Sequence, residues 1–531
     1  MKTRTLLLCA LSLLPLAVAA KPPASAPSKP AESSGSSLKP SSAEKAAAKA
    51  REEAFAEYET QLASGQKGRA ADALVALLDD PTKAAFHAEA TMKFGDLLKE
   101  LDLPYAALAA YVRAFKLADD SNTAEIGTRV EPAIALAEKV GDIAILEEPF
   151  SKNVGLARTD DQRGQMAYLA ARESMRQGSY GLAVGILKLV KQADTVYPEA
   201  KALEGVILNQ QNRPVDALVA FEAAQKAGRD KDQRFKDMLM LNIARSFYAA
   251  QNYPRAVQAY AAIPRASALW PEAQFERAWA HFMLSDFNGT LGMLYTLDTP
   301  FFTEYYYPEA DLLRIYSMFY LCKFPQASIA IEDFKTKYKP THDLLVAWSS
   351  KSAKENFEAA RAFAQKGDTG SLSLTLLRPW ATEDRFLASI AAVASVEDEI
   401  GRLKNVDANP FAARAKQWLT ERRDQLVNEE GGRVKERLGN QEAELGEMLM
   451  NSEIFILDIL RMKSMLFEQA ASVGRMPDAA NTAQRATRLR KNQVEWPFQG
   501  EIWADELGYY QVDAPPDCPA SLRGEVGGGG R

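Results

Sequence analysis

From Glu44 onward apolar and polar positions follow a helical period, and within that period one signature of residue sizes recurs. Gly95 is followed by Ala107, Tyr111 and Ala114, at offsets of twelve, sixteen and nineteen. At the same offsets Gly205 leads Ala217, Phe221 and Ala224, Ala171 leads Ala183, Leu187 and Val190, and Ala244 leads Ala256, Tyr260 and Ile263. Ala278 leads Thr290, Leu294 and Leu297, and Ile315 leads Ala327, Ile331 and Phe334. A small residue on one helix and another twelve positions later predict two antiparallel helices whose backbones approach closely. The large residue four positions on then fills the gap against the next pair. Three first helices open alike, with Tyr197-Pro198-Glu199-Ala200, Trp270-Pro271-Glu272-Ala273 and Tyr307-Pro308-Glu309-Ala310. Proline suits the first helical position, where its missing N–H costs nothing. The glutamate then meets the positive end of the helix. No single pair can bury its apolar faces, so stability has to come from stacking.

The steps from Ala171 to Gly205 and from Ala244 to Ala278 are both thirty-four residues. With these size classes at these offsets the chain resembles the tetratricopeptide repeat (TPR) family over roughly residues 50 to 340, most closely from Arg163 to Tyr338. Around Val130 to Asn153 only Gly141-Asp142 resembles the usual turn, so a degenerate unit is expected there. The expected fold is all-α, a TPR-type α-solenoid followed by a helical C-terminal region. The resemblance implies that first-helix residues three before, one after and four after the small position face a concave groove. These are Tyr168, Arg172 and Met175, then Leu241, Arg245 and Tyr248, then Phe275, Trp279 and Phe282, then Leu312, Tyr316 and Phe319. The lysines and asparagines with which some members clamp a terminal carboxylate are not at these positions, so carboxylate capture is not expected. An aromatic trough suited to an amphipathic helix or an extended apolar peptide is expected instead. Two occupants fit it equally: a partner, or the chain's own C-terminal helices.

The flanks divide the chain further. Residues 1–20, with Lys2 and Arg4, an apolar run from Leu6 to Val18 and small residues at Val18-Ala19-Ala20, have the form of a cleavable export signal. Residues 21–43, with Pro22, Pro23, Pro27, Pro30 and Pro40, form a linker with no apolar period to bury; a tether and a passive leader both fit. The solenoid is expected over 44–340, a helical domain over 341–490, and an aromatic and Pro-rich tail over 491–531 that ends in a disordered glycine run. Within 341–490 one stripe runs through Trp418, Leu419, Leu426, Val427, Val434, Leu438, Leu445 and Leu449. It is expected to pack inward rather than to form a dimer seam, with Gly431-Gly432 kinking the helix or turning it back. The tail, rich in rings from Trp496 to Tyr510, is expected to cap the solenoid more than to present a docking surface.

Composition narrows the function. Formal net charge is −6, or −8 without Lys2 and Arg4, which points away from nucleic acid. The most apolar segment, Ile454 to Leu460, contains Asp458 and stops at Arg461 and Lys463, so no transmembrane span is expected. Past the export signal only Cys322 and Cys518 remain; an oxidising compartment permits a bond, but two unpaired thiols are the favoured expectation. His87, His281 and His342 have no partner at metal-ligand spacing, and no nucleophile-elbow, phosphate-loop or dinucleotide motif occurs. No cofactor, metal or catalytic residue is expected. By layout the chain resembles TPR subunits of envelope-spanning machines, including those of adventurous gliding motility, which implies periplasmic and outer-membrane protein partners. Phe324-Pro325-Gln326-Ala327 resembles the TPR unit of outer-membrane-protein insertion and cell-division coordinators. A peptidoglycan-active superhelical enzyme, similar to lytic transglycosylases, is the third class; Glu501 is its poor candidate acid.

Overall fold

The computed structural model of the chain describes residues 42–404, 408–473 and 502–518. Every regular element among them is a helix, so the fold is all-α. The residues divide into two compact units. The first takes the described residues up to 200 together with 384–429, and the second takes 201–383 and everything from 430 onward. The expected export signal, the linker up to residue 41 and the glycine run lie outside the described residues.

The first unit contains α1 (Ser42–Ala63), α2 (Lys67–Asp79), α3 (His87–Glu100), α4 (Pro104–Leu117), α5 (Thr123–Ile126), α6 (Val130–Val140), α7 (Glu147–Lys152), α8 (Asp160–Arg176) and α9 (Tyr180–Leu187). Helix α10 (Tyr197–Gln210) spans the division. The second unit holds α11 (Pro214–Ala227), α12 (Gln233–Ala249), α13 (Tyr253–Ala261), α14 (Trp270–Met283), α15 (Phe287–Leu297), α16 (Pro308–Tyr320), α17 (Phe324–Ser349), α18 (Ala353–Lys366) and α19 (Leu374–Thr382). Helix α20 (Asp384–Leu403) belongs to the first unit, and α21 (Pro410–Val473) contributes to both. Residue 340, where the repeat register ends in the sequence, is a proline inside α17.

The hairpins are built alike. Seven residues after each small position the backbone turns left-handed: φ is 58° at Asp102, Asn212, Gln251 and Cys322, 59° at Ser285 and 73° at Gly178. The next amide donates back to the carbonyl five residues before it, as in Leu103 to Leu98, Arg213 to Leu208, Asn252 to Phe247 and Lys323 to Met318. This is the Schellman closure of a helix C-terminus. Gly141, at φ 78°, closes α6 the same way through Asp142 and Ala137, so the weak unit keeps its turn. Ala107, Ala183, Ala217, Ala256, Thr290 and Ala327 are all completely buried, as close helix crossings require.

Two expectations change. Helix α21 is continuous through Gly431-Gly432, so the chain does not turn back there. The glycine serves approach instead, since a Cβ on Gly431 would meet the Ala353 carbonyl oxygen at 2.0 Å. The stripe on α21 does pack inward: Trp418, Leu419, Leu426 and Val427 are buried in the first unit, and Val434, Leu438 and Leu445 in the second. Cys322 and Cys518 are not free thiols but a disulfide, with Cα atoms 5.6 Å apart and a separation of 196 positions in sequence. The large residues cluster with the next hairpin as expected, Tyr260 with Ala273 and Ala280 and Leu294 with Ala310 and Leu313, and where the small position is glycine they also close their own hairpin, Tyr111 lying on Gly95 and Phe221 on Gly205.

The disulfide ends a strap. Residues 502–518 lie along the second unit, where Arg265 donates to the carbonyls of Ala504 (2.5 Å), Asp505 (2.9 Å) and Leu507 (2.6 Å). The Gly508 amide donates to Thr296 Oγ1 at 3.0 Å, and the Asp517 amide to the Leu321 carbonyl at 3.0 Å. The Tyr510 and Tyr295 rings meet edge to face at 4.8 Å. The described part of the tail is therefore docked on the hairpins, as a cap would be.

Candidate functional site

In the second unit a repeated pair of rings grows out of the hairpin turns. The residue four after the small position, at the end of the first helix, meets the residue nine after it, which opens the second helix. Tyr248 meets Tyr253 at 5.3 Å and 67°, Phe282 meets Phe287 at 5.4 Å and 66°, and Phe319 meets Phe324 at 5.6 Å and 64°. Near-identical edge-to-face geometry in three successive hairpins follows from the shared left-handed turn between the two positions. Each such contact contributes about 0.5–1.5 kcal/mol beyond burial.

The two later pairs are joined across hairpins through Tyr320, which also meets Phe319 at 5.8 Å. Tyr320 stacks on Phe287 (5.0 Å, 5°) and meets Phe282 edge-on at 5.6 Å, while Trp279 meets Phe282 at 5.6 Å. Tyr248, Tyr253, Trp279, Phe282, Phe287 and Tyr320 are all half-buried, and Met283 and Leu284 beside them are exposed. Burial raises the phenol pKa of Tyr248, Tyr253 and Tyr320, so these rings are neutral hydrogen-bond donors on an otherwise apolar surface.

The groove positions read from the sequence separate into two kinds. Those one and four after the small residue supply the half-buried rings Trp279, Phe282 and Tyr248. Those three before it are core: Leu241, Phe275 and Leu312 are 2, 3 and 5 % exposed. Neighbouring hairpins take these side chains up. Leu241 packs with Ala273 and Ala280 of α14, and Phe275 stacks on Tyr307 at 5.0 Å. At the α16 end the trough is filled by the chain itself, because Phe455 of α21 packs on Tyr316 (5.0 Å) and Phe319 (4.7 Å). Tyr168, Arg172 and Met175 belong to the first unit, where Arg172 pairs with Glu147 at 3.0 Å and lies 5.8 Å from the Tyr168 ring.

The arginines one after the small position are spent inside the fold. Arg245 is bound by Glu276 at 2.6 Å and Glu272 at 2.5 Å, which ties α12 to α14. Burial pushes the Glu276 carboxyl up in spite of Arg245. Both Arg245 and Arg172 are thus paired with carboxylates of the chain itself.

Phe287, Tyr320 and Phe455 were not singled out in the sequence. The signal for Phe287 was present: an aromatic nine positions after the small residue recurs at Tyr180, Tyr253, Phe287 and Phe324. Among the described residues no group of three or more His, Cys, Asp or Glu is gathered to hold a metal ion, and no helix is long and apolar enough to cross a membrane.

No protein-family model matches the chain, and no curated protein matches it. Among solved structures the chain is similar to the TPR domain of P58(IPK), with 14 % identity, a TM-score of 0.17, and coverage of 70 % of this chain and 98 % of that one. At that score the likeness carries no weight for the fold.

Proposed function

We propose that the chain is a protein-binding scaffold whose binding surface is the aromatic turn face of α12–α16. One observation carries this reading: four half-buried rings, Trp279, Phe282, Phe287 and Tyr320, in one connected set, with exposed Met283 and Leu284 beside them and the half-buried Tyr248–Tyr253 pair on the preceding hairpin. Rings and methionine at a partly open surface suit an apolar or amphipathic helical peptide. The spent arginines argue against acidic termini as the determinant. On the export-signal pattern of residues 1–20, the proposal places this scaffold in the periplasm or on an outer-membrane complex, with periplasmic and outer-membrane proteins as partners. Its narrowest form is a component of a gliding-motility machine. The reading assigns no catalytic step.

The test is a photo-crosslinking side chain at Trp279 in the native envelope. Adducts to one or a few envelope proteins are expected, and Trp279→Ala should abolish co-purification of the same proteins while leaving helix content unchanged. Adducts only to the chain itself would overturn the reading. So would unfolding of the variant, which would make Trp279 a core residue.

A further inference from the structure

Beyond Leu445, α21 carries apolar side chains on two opposite faces. The inner face holds Ile459 and Met462, which are buried, and Phe455, which packs on α16. The outer face holds Met450, Ile454, Leu457, Leu460 and Phe467, exposed by 56, 55, 65, 55 and 63 %. A helix apolar on both faces is covered on both when it works.

The spacing of the outer face selects its cover. Met450, Leu457, Leu460 and Phe467 stand seven, three and seven residues apart, the interval of the two seam positions of a coiled coil. They extend over about 26 Å of helix at 1.5 Å per residue. The order is symmetric about the point between Asp458 and Ile459. Laid antiparallel against itself, the stripe sets Met450 opposite Phe467 and Leu457 opposite Leu460, each contact made twice. The charges agree with the same register. Glu453, the one acidic seam residue, lies 3.6 Å from Lys335 of its own chain and comes level with Ser464 of the opposing helix, within a turn of Arg461. A parallel register would set Glu453 against its own copy. Glu453, Asp458 and Glu468 on or beside the stripe also disfavour an anionic lipid surface.

We propose that the outer face of α21 over 450–467 is a self-association surface, pairing antiparallel with a second copy of this chain about a twofold axis at 458–459. Such an interface uses the same patch on both partners and closes at two chains. A single short seam gives a weak, concentration-dependent dimer. The inference is independent of the aromatic turn face, which lies on other helices.

Sedimentation equilibrium of the full chain over a range of concentrations tests it. A monomer–dimer equilibrium is expected, and Leu457→Glu should weaken it at least tenfold with an unchanged circular dichroism spectrum, because that side chain is largely exposed. Under mild oxidation the double variant Met450→Cys with Phe467→Cys should give covalent dimers, and each single variant should not. The proposal is overturned by a one-chain mass at every concentration, by a Leu457→Glu variant that still pairs, or by covalent dimers of the single variants, which would mean a parallel seam. A monomer that binds lipid vesicles through this stripe would equally overturn it.

Discussion

Gly205 lies flat against the ring of Phe221: a Cβ on the glycine would stand 2.6 Å from Cε1 and 2.7 Å from Cζ. Gly95 meets Tyr111 in the same way, at 2.8 Å from two ring carbons. In a helix interior, glycine to alanine ordinarily gains about 0.5–1 kcal/mol. Here overpacking of a fully buried crossing costs about 1–3 kcal/mol, so the contact outweighs the propensity. Gly205→Ala should therefore lower stability in urea denaturation, and adding Phe221→Leu should restore part of the loss. A Gly205→Ala chain as stable as the parent would show that the ring has room to move.

The hairpins were legible because their packing fixes residue size at constant offsets, and size survives in sequence as Gly95 with Tyr111 or Gly205 with Phe221. The turns between them were not. Their requirement is a backbone angle, and Asp102, Asn212, Gln251, Ser285 and Cys322 meet it with five different side chains. Contacts between distant segments leave no spacing at all. Glu399 caps α4 by accepting from the amides of Tyr105 (2.6 Å) and Ala106 (3.0 Å) across more than 290 residues. Asp142 is held in the core by Arg422, with two bonds of 2.8 Å, and by the Tyr105 hydroxyl at 2.5 Å. Nothing near Asp142 in the sequence announces Arg422. In the candidate site, Trp279 and Phe282 followed from the repeat register, whereas Phe455 reaches Tyr316 from a helix outside it.

The strap gives a second test. Cys518 joins residues 502–518 to the α16–α17 turn, and Lys323 pairs with Asp517 at 2.6 Å beside it. The bond closes a loop of 196 residues, and removal of a disulfide that closes a long loop costs about 2–4 kcal/mol. Cys518→Ser should lower the unfolding midpoint. It should also speed hydrogen exchange at the Asp517 and Gly508 amides, which donate to the Leu321 carbonyl and Thr296 Oγ1. Unchanged protection at both amides would mean that the noncovalent contacts hold the strap unaided.

Glu147 and Glu148 are neighbours on α7 with opposite titration behaviour. Glu148 accepts from Lys116 and Lys152, each at 2.6 Å, and these bonds bring its pKa down to about 2. Burial pushes the Glu147 carboxyl up, although Arg172 lies 3.0 Å away. The two contribute to stability with opposite signs. In the unfolded chain each takes up its proton near the ordinary value of about 4.3. For Glu148 the unfolded state binds the proton first as pH falls, so its stabilisation is present above that value and is lost between it and about 2. For Glu147 the folded state binds the proton first, so its contribution is fully present below the ordinary value and is lost as pH rises through its raised one. Denaturation at a series of pH values should show Glu148→Gln flattening the acid limb. Glu147→Gln should instead remove a decline that sets in above the ordinary carboxylate value. Equal slopes in the two variants would break the link between the lysine bonds and the one shift, and between burial and the other.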